Sequence, residues 1–441
     1  MARSGIAAAM LLNRKGAIVT LQDLKKKEEL ANINIAELER EGITLYTGKN
    51  PDDIVLQQDL IVLSPGVPCD LPFIVEAEKN NIAVWSEVEL AYSMTPCPVV
   101  AITGTNGKTT TTTLAGELLK AVYPNTAVVG NIGVPYSEKV ENLTEKDYVV
   151  AEISSFQMEK AYTFHPKISA VLNITPDHLN RHKTMEVYIA MKERVWKNQT
   201  EQDYCILNYE DSVCSAMAKK TKAKVFFFSS KSALKEGIYL ENGVIKMCWQ
   251  NHNETLFAVE ELKLLGLHNY ENIMAACAVA VCAGVPLEKI RQIAKEFAGV
   301  EHRIEYVATI DDVEYYNDSK GTNTDASIRA VLAMKRPIVL IAGGYDKGVS
   351  FMDWVKLFPN RVKELVLIGV TAEQIEREAR AVGFTAISRC ETFEQAISLC
   401  HSKAEKGDCV LLSPACASWD MFDSYEQRGD LFKKIVKSYQ K

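Results

Sequence analysis

No stretch of this 441-residue chain approaches the roughly 20 consecutive apolar residues of a membrane-spanning helix, and runs such as Pro98–Ile102 and Pro337–Ala342 are short. A Cys-x-x-Cys pair is missing as well. The eleven cysteines are scattered, and their odd number suits reduced thiols buried as small hydrophobes in a cytoplasmic protein. There is no excess of positive charge: 50 Lys and Arg against 57 Asp and Glu leave a net charge of −7. That argues against a nucleic-acid or anionic-membrane partner held by bulk electrostatics. No 20-to-50-residue repeat and no low-complexity tract is found. A secretory signal is only faintly suggested, because Ser4–Leu12 runs straight into Asn13-Arg14-Lys15, and the segment reads better as a helix.

The composition that remains is ordinary for a globular protein, 47% hydrophobic and 24% charged, and the length calls for two to four domains. Three blocks alternate short apolar strands with amphipathic helices, the α/β signature. The first covers 1–93, with strands expected at Ala17–Leu21, Thr44–Tyr46, Leu60–Leu63 and Ala83–Trp85. The second, 94–297, opens on Val99–Ile102 and includes a hairpin at Gly237–Cys248, turned by Glu241-Asn242-Gly243. The third, 298–441, carries strands at Glu305–Ile310, Ile338–Ala342, Leu365–Ile368 and Cys409–Leu412, which predict a second open parallel sheet.

The strongest chemical signal is Val99-Val100-Ala101-Ile102-Thr103-Gly104-Thr105-Asn106-Gly107-Lys108-Thr109-Thr110. A strand enters a glycine turn, and a lysine and hydroxyl residues then open a helix. Backbone N–H groups of such a turn close around phosphate oxygens, and the helix N-terminus adds positive potential. Lys108 can bridge the outer phosphates, and Thr109 can offer its hydroxyl to magnesium. Ile102 stands where the first glycine of a phosphate loop belongs. The reading is an ATP or GTP site.

Glu152 ends the apolar strand Tyr148–Ala151, where carboxylates of α/β proteins face the ligand crevice. Magnesium on nucleotide phosphates takes one or two such carboxylates. His178, in the polar turn after Leu172, sits best for a site among the seven histidines. Lys192 falls on the apolar stripe Met185, Tyr188, Ile189, Val195 and Trp196 of a helix expected over Thr184–Trp196. A lysine facing inward is costly unless its charge is removed or paired. On pattern alone it reads equally as a lysine snorkelling at the stripe's edge.

Taken together, these motifs resemble the ATP-dependent Mur ligases of peptidoglycan synthesis. The resemblance is carried by Gly104–Thr109, Gly130-Asn131-Ile132-Gly133, Glu152–Gln157, Asn173–His178, Gly266–Asn272 and Asn317–Thr322, and extends from Arg3-Ser4-Gly5 to Gly429. The run Leu412–Asp420, followed by Tyr425-Glu426-Gln427-Arg428-Gly429, narrows it to the members that add D-glutamate to UDP-N-acetylmuramoyl-L-alanine. It implies a Rossmann-like UDP-binding domain, a central P-loop ATPase domain and a Rossmann-like C-terminal domain. It also implies a cytoplasmic enzyme with ATP and two magnesium sites, an acyl-phosphate intermediate, no nucleic-acid or membrane partner, and by preference a monomer.

Carried over position by position, the resemblance assigns Gly104, Thr105, Asn106, Gly107, Lys108, Thr109 and Thr110 to the nucleotide phosphates. Thr109 and Glu152 would hold the first magnesium; His178 and an N6-carboxylated Lys192 would serve the second. Asn269 and Asn272 match nucleotide-contacting asparagines, and Arg303 and Asp318 match residues that close over ATP. Lys320, Thr322, Lys347, Ser418 and Tyr425 align with the D-glutamate pocket, with Tyr425 standing where a phenylalanine is known in the family. Ser4, Ser64 and Asn131 match the UDP-sugar side, and Asp23 resembles a ribose-binding acid, with Leu24 beside it.

In such a first domain a strand precedes the glycine turn, which here would be Met1–Gly5. The chain is therefore expected to lack the first strand of that sheet, leaving Ala17–Leu21 and Leu60–Leu63 without a shared neighbour, and to start upstream of Met1 in its natural form. Two other readings compete: another amide ligase of the same fold, disfavoured by Ser413–Ser418, and a P-loop switch without ligase chemistry, which would not need the third block's basic and hydroxyl residues.

Overall fold

Alanine-rich Ala7-Ala8-Ala9 and the buried Leu11 make the first segment a strong helix former with one apolar face. In the computed structural model, which describes residues 1–440 other than 31, 32, 132, 265 and 347, the helix spans Arg3–Arg14. Arg3, Ser4 and Gly5, expected in a glycine turn, form its first turn instead. The alanine run propagates the helix back to the Ala2 carbonyl, which accepts from the Ile6 N–H at 3.0 Å. The first block then holds two separate parallel pairs, β1 (Thr20–Asp23) with β2 (Thr44–Thr47) and β3 (Leu60–Leu63) with β4 (Ala83–Ser86). Among the described residues no ladder joins the pairs, so Leu21 and Leu63 lie in different sheets. Each pair has its own small core, around Ala9, Leu21 and Ile43 in one and around Leu63, Ile74 and Val84 in the other.

The central sheet is built from β5 (Val99–Thr103), β6 (Ala127–Gly130), β7 (Val149–Glu152), β8 (Ile168–Val171), β9 (Tyr204–Asn208) and β10 (Lys224–Ser229), all parallel. A meander of β11 (Gly237–Glu241), β12 (Val244–Trp249) and β13 (His252–Ala258) extends it, giving the order β13-β12-β11-β10-β9-β8-β5-β7-β6. β5 is buried along its whole length between β7 and β8, as its two-sided apolar composition requires. Ile102 stands opposite Glu152, and Thr103 opposite Val171. That register brings the loop after β5, the end of β7 and the turn after β8 to one carboxyl edge.

The third sheet comprises β14 (Glu305–Ile310), β15 (Val313–Asn317), β16 (Ile338–Gly343), β17 (Val362–Ile368), β18 (Ile387–Arg389) and β19 (Cys409–Leu412) in the order β14-β15-β19-β16-β17-β18. It is not wholly parallel as expected: β14 and β15 form an antiparallel hairpin, and the rest are parallel. Apolar cores cover both of its faces. The chain divides into two compact units, 1–261 with 271–295, and 262–270 with 296–441. All eleven cysteines are free, and among the described residues no helix is long and apolar enough to cross a membrane.

Candidate active site

The loop after β5 turns on two glycines. Gly104 has φ +150° and Gly107 φ +82°, and a Cβ on Gly107 would lie 2.1 Å from Asn272 Oδ1. Only glycine combines that backbone with so close an approach. Gly107 caps the helix Lys108–Lys120, whose first N–H groups are unpaired within the helix and point toward the loop. The turn after β8 straps the loop down. Asn106 N–H donates to Asn173 Oδ1 at 2.8 Å, Asn173 Nδ2 returns a bond to the Asn106 carbonyl at 3.0 Å, and Thr105 N–H donates to the Asn173 carbonyl at 2.9 Å. Lys108 Nζ lies across the loop, 2.9 Å from the Gly104 and Thr105 carbonyls.

Glu152, buried at the end of β7, accepts from the Thr109 hydroxyl at 2.9 Å and from Asn131 Nδ2 at 2.9 Å. Asn131, expected on the UDP-sugar side, is thus placed at this carboxylate; its motif neighbour Ile132 lies outside the described residues. Lys192 sits in the helix Met185–Glu193, capped by the Thr184 hydroxyl, and is only 2% exposed. Of the two directions the apolar stripe leaves open, inward and snorkelling, the inward one is observed. Its amine donates to the Gly104 carbonyl at 2.8 Å, hangs over the Tyr188 ring at 4.8 Å, and has no carboxylate within ion-pair reach among the described residues. Burial, and then the charge of Lys108, push it well below the ordinary lysine range.

His178 opens the short helix Leu179–His182 in a left-handed conformation, φ 53°, with its ring 4.7 Å from Phe156. Burial lowers its imidazole, Asp177 opposes, and Lys108 and Lys192 lower it further. Neighbouring His182 escaped the sequence reading. It is buried, pushed down by that burial, and pairs with Ser155 Oγ at 2.9 Å. Nothing in its spacing marks it. On the acceptor side, Ser4 stands in the first helix, whose Gly5 faces Ser64: a Cβ there would lie 3.0 Å from Ser64 Oγ. Asp23 pairs with the Met1 amine.

The second unit repeats the logic of the first. Asn317 and Leu412 are register partners on β15 and β19, so the residues after them meet: Ser413 Oγ donates to Asp318 Oδ2 at 2.7 Å. Burial pushes Asp318 up to about 7 against the pull of Ser413 and of Arg303. The Arg303 Nε is itself buried and has no hydrogen-bond partner among the described residues. Lys320 Nζ lies 5.1 Å over the Tyr425 ring, and Ser418 is buried. Thr322 follows two residues after Lys320, half-buried. Lys347 lies outside the described residues. Asn269 and Asn272, both buried on the helix Leu267–Cys282, fall in the second and first units respectively.

Arg428 is the residue that sequence reasoning passed over here. It is wholly buried and donates to Ser319 Oγ at 2.9 Å and to the carbonyls of Ser319 and Cys416 at 2.8 and 3.1 Å, fastening the Asp318–Ser319 turn to the segment before Ser418. Burial lowers its guanidinium to about 10. The signal was available, since Arg428, Phe432 and Val436 share one buried helix stripe, the pattern that exposed Lys192.

A strand–glycine loop–helix unit at the carboxyl edge of a parallel sheet, with a hydroxyl and a carboxylate beside it, defines an α/β protein built around a phosphate loop. Comparison with known proteins narrows this. Three family profiles match: the MurD-like N-terminal domain over residues 1–86, the Mur ligase middle domain over 102–280, and the Mur ligase glutamate ligase domain over 302–416. Proteins called UDP-N-acetylmuramoylalanine–D-glutamate ligase are 47% identical in Lachnospira eligens, over 98% of this chain and 96% of that protein, and 46% identical in Pelotomaculum thermopropionicum, over 100% and 96%. The crystal structure of UDP-N-acetylmuramate-alanine ligase from Thermotoga maritima shares the fold, with a TM-score of 0.62 at 20% identity over 99% and 97% of the two chains. The chain belongs to the Mur ligase family, with its three-domain α/β architecture.

Proposed function

We propose that the chain joins D-glutamate to UDP-N-acetylmuramoyl-L-alanine in peptidoglycan precursor synthesis, at the expense of ATP. The terminal carboxylate of the acceptor takes the γ-phosphoryl group and ADP leaves. The amine of D-glutamate then attacks the acyl carbon, and the tetrahedral adduct expels inorganic phosphate as the amide forms. With charge spread over the transferred phosphoryl group, the protein's work is positioning and electrostatic clamping.

The observation that carries the reading is Lys192, buried beside the phosphate loop with its amine on the Gly104 carbonyl. Burial favours the neutral amine, the form that adds carbon dioxide to give a carbamate and a proton. We assign Gly104–Thr110 and Asn272 to the nucleotide, together with Asn269, Arg303 and Asp318. Thr109 and Glu152 are the hydroxyl and carboxylate that magnesium on phosphates takes, and carboxylated Lys192 with His178 would hold a second ion. Among the described residues no cluster of three acidic, histidine or cysteine side chains exists, so phosphate oxygens would complete either site. Bound magnesium supplies charge neutralisation on the phosphates. The buried Arg303 Nε, without a partner among the described residues, suits an anionic ligand.

In this reading residues 1–93 hold the UDP end of the acceptor through Ser4 and Ser64, with Asn131 nearer the reaction. Residues 94–297 hold ATP, and 298–441 hold D-glutamate through Lys320, Thr322, Lys347, Ser418 and Tyr425. Cations and hydroxyls are what a dicarboxylate requires. The eleven free thiols suit the cytoplasm. The test is phosphate release across a panel of UDP-muramoyl acceptors and amino acids. Release is expected only with UDP-N-acetylmuramoyl-L-alanine and D-glutamate together; equal turnover with L-glutamate, or without acceptor, overturns the reading.

A further inference from the structure

Glu159 and Arg181 form a side-chain pair that the chemistry above leaves unused. Arg181 Nε and Nη2 donate to the two oxygens of Glu159 at 3.0 and 2.6 Å, a forked pair that is mostly buried, with the side chains 16% and 13% exposed. The same guanidinium reaches the first block, donating to the carbonyls of Gly66 at 3.3 Å and Val67 at 2.8 Å. The Cys69 thiol donates to Glu159 Oε2 at 3.0 Å. Arg181 also lies 4.7 Å over the Phe156 ring, whose centroid is 4.7 Å from His178.

These contacts meet at one short turn. Arg194, which ends the helix carrying Lys192, donates to the carbonyls of Met158 and Glu159 at 2.8 Å each. Lys160 pairs with Glu78, and its carbonyl accepts from Ser86 N–H at 2.9 Å. His178 holds a left-handed backbone, φ 53°, and Arg181 N–H closes that turn on the His178 carbonyl at 3.0 Å. The loop that follows Ser64 and the turn that carries His178 are therefore registered through one guanidinium.

We infer that Arg181 and Glu159 are positioning residues that set the acceptor-side loop Ser64–Val67 against His178. The inference rests on the assignment of Ser64 to the acceptor and His178 to the reaction. A lysine at 181 keeps the charge but cannot fork onto two carboxylate oxygens and two carbonyls at once. For Arg181→Lys and for Glu159→Gln, KM for UDP-N-acetylmuramoyl-L-alanine should rise about tenfold or more while KM for ATP stays within about twofold. The double variant should cost no more than the worse single one, as for two halves of one device.

Hydrogen exchange on the resting protein supplies a readout independent of activity. Both segments 64–69 and 177–183 should exchange faster in each variant. Faster exchange at 177–183 alone, or a fall in kcat with acceptor KM unchanged, overturns the coupling and leaves a local structural pair. If the wild-type chain releases no phosphate with this acceptor, the proposed function fails, and the exchange experiment still decides whether the pair joins the two segments.

Discussion

Lys192 and Asp318 are each a titratable group held inside, and each makes a prediction. Lys192→Ala removes a buried amine from beside the loop without removing a salt bridge, so the fold should survive, as circular dichroism will report. Activity should fall roughly a hundredfold or more, the scale of a lost electrostatic clamp. A short-chain carboxylate or bicarbonate should restore part of it by supplying the missing anion. Full activity in the unrescued variant would make Lys192 a packing residue. Asp318 works through pH. Its folded value of about 7 lies above the ordinary aspartate value of 3.8, so the native state binds the extra proton. Stability from this group is fully present below about pH 4 and is lost as pH rises to about 7, by about 4 kcal/mol at most. Asp318→Asn should flatten that part of the pH profile in urea melts. A wild-type profile parallel to that of the variant between pH 4 and 7 would rule the linkage out.

At the scale of elements, the sequence made some turns legible and hid others. Glu241-Asn242-Gly243 announced its hairpin, and Asn242 and Gly243 do have φ of 51° and 76°. The turn between β12 and β13 uses Gln250 and Asn251 at φ 51° and 65°, and that between β14 and β15 uses Asp311 and Asp312 at 49° and 65°. Both are the same tight turn without its glycine, so β13 and β15 went unread and the third sheet was expected to be parallel. Asn251, Asp311 and Asp312 tolerate the left-handed region through their short polar side chains, whereas Gln250 is held there by the pairing of β12 with β13. β18 was missed because three half-exposed residues carry no period. The candidate site was more legible than the sheets. Lys108, Thr109, Glu152 and Lys192 reveal themselves by what they interrupt, whether a strand end, a glycine turn or an apolar stripe. Arg428 obeys the same rule, interrupting the buried stripe of its helix, whereas His182 interrupts nothing.

The whole molecule divides the assigned residues between its two compact units. The phosphate loop, Glu152, His178, Lys192, Ser4 and Ser64 belong to the first, and Asp318, Lys320, Thr322, Ser418 and Tyr425 to the second. If the proposed function holds, each carbon substrate has its own unit, and occupancy can be read separately by hydrogen exchange. UDP-N-acetylmuramoyl-L-alanine alone should slow exchange around 3–5 and 64–67 and leave 318–322 and 416–425 unchanged. Saturating D-glutamate alone should do the reverse, because the cations and hydroxyls suited to a dicarboxylate stand in the second unit. Neither ligand alone should release phosphate, since one supplies the carboxylate that is activated and the other the amine that attacks. Slowed exchange at 177–192 with D-glutamate, and none at 318–322 or 416–425, would move the amino-acid site into the first unit. The assignment of Lys320, Thr322, Ser418 and Tyr425 would then fall, even with the ligase activity intact.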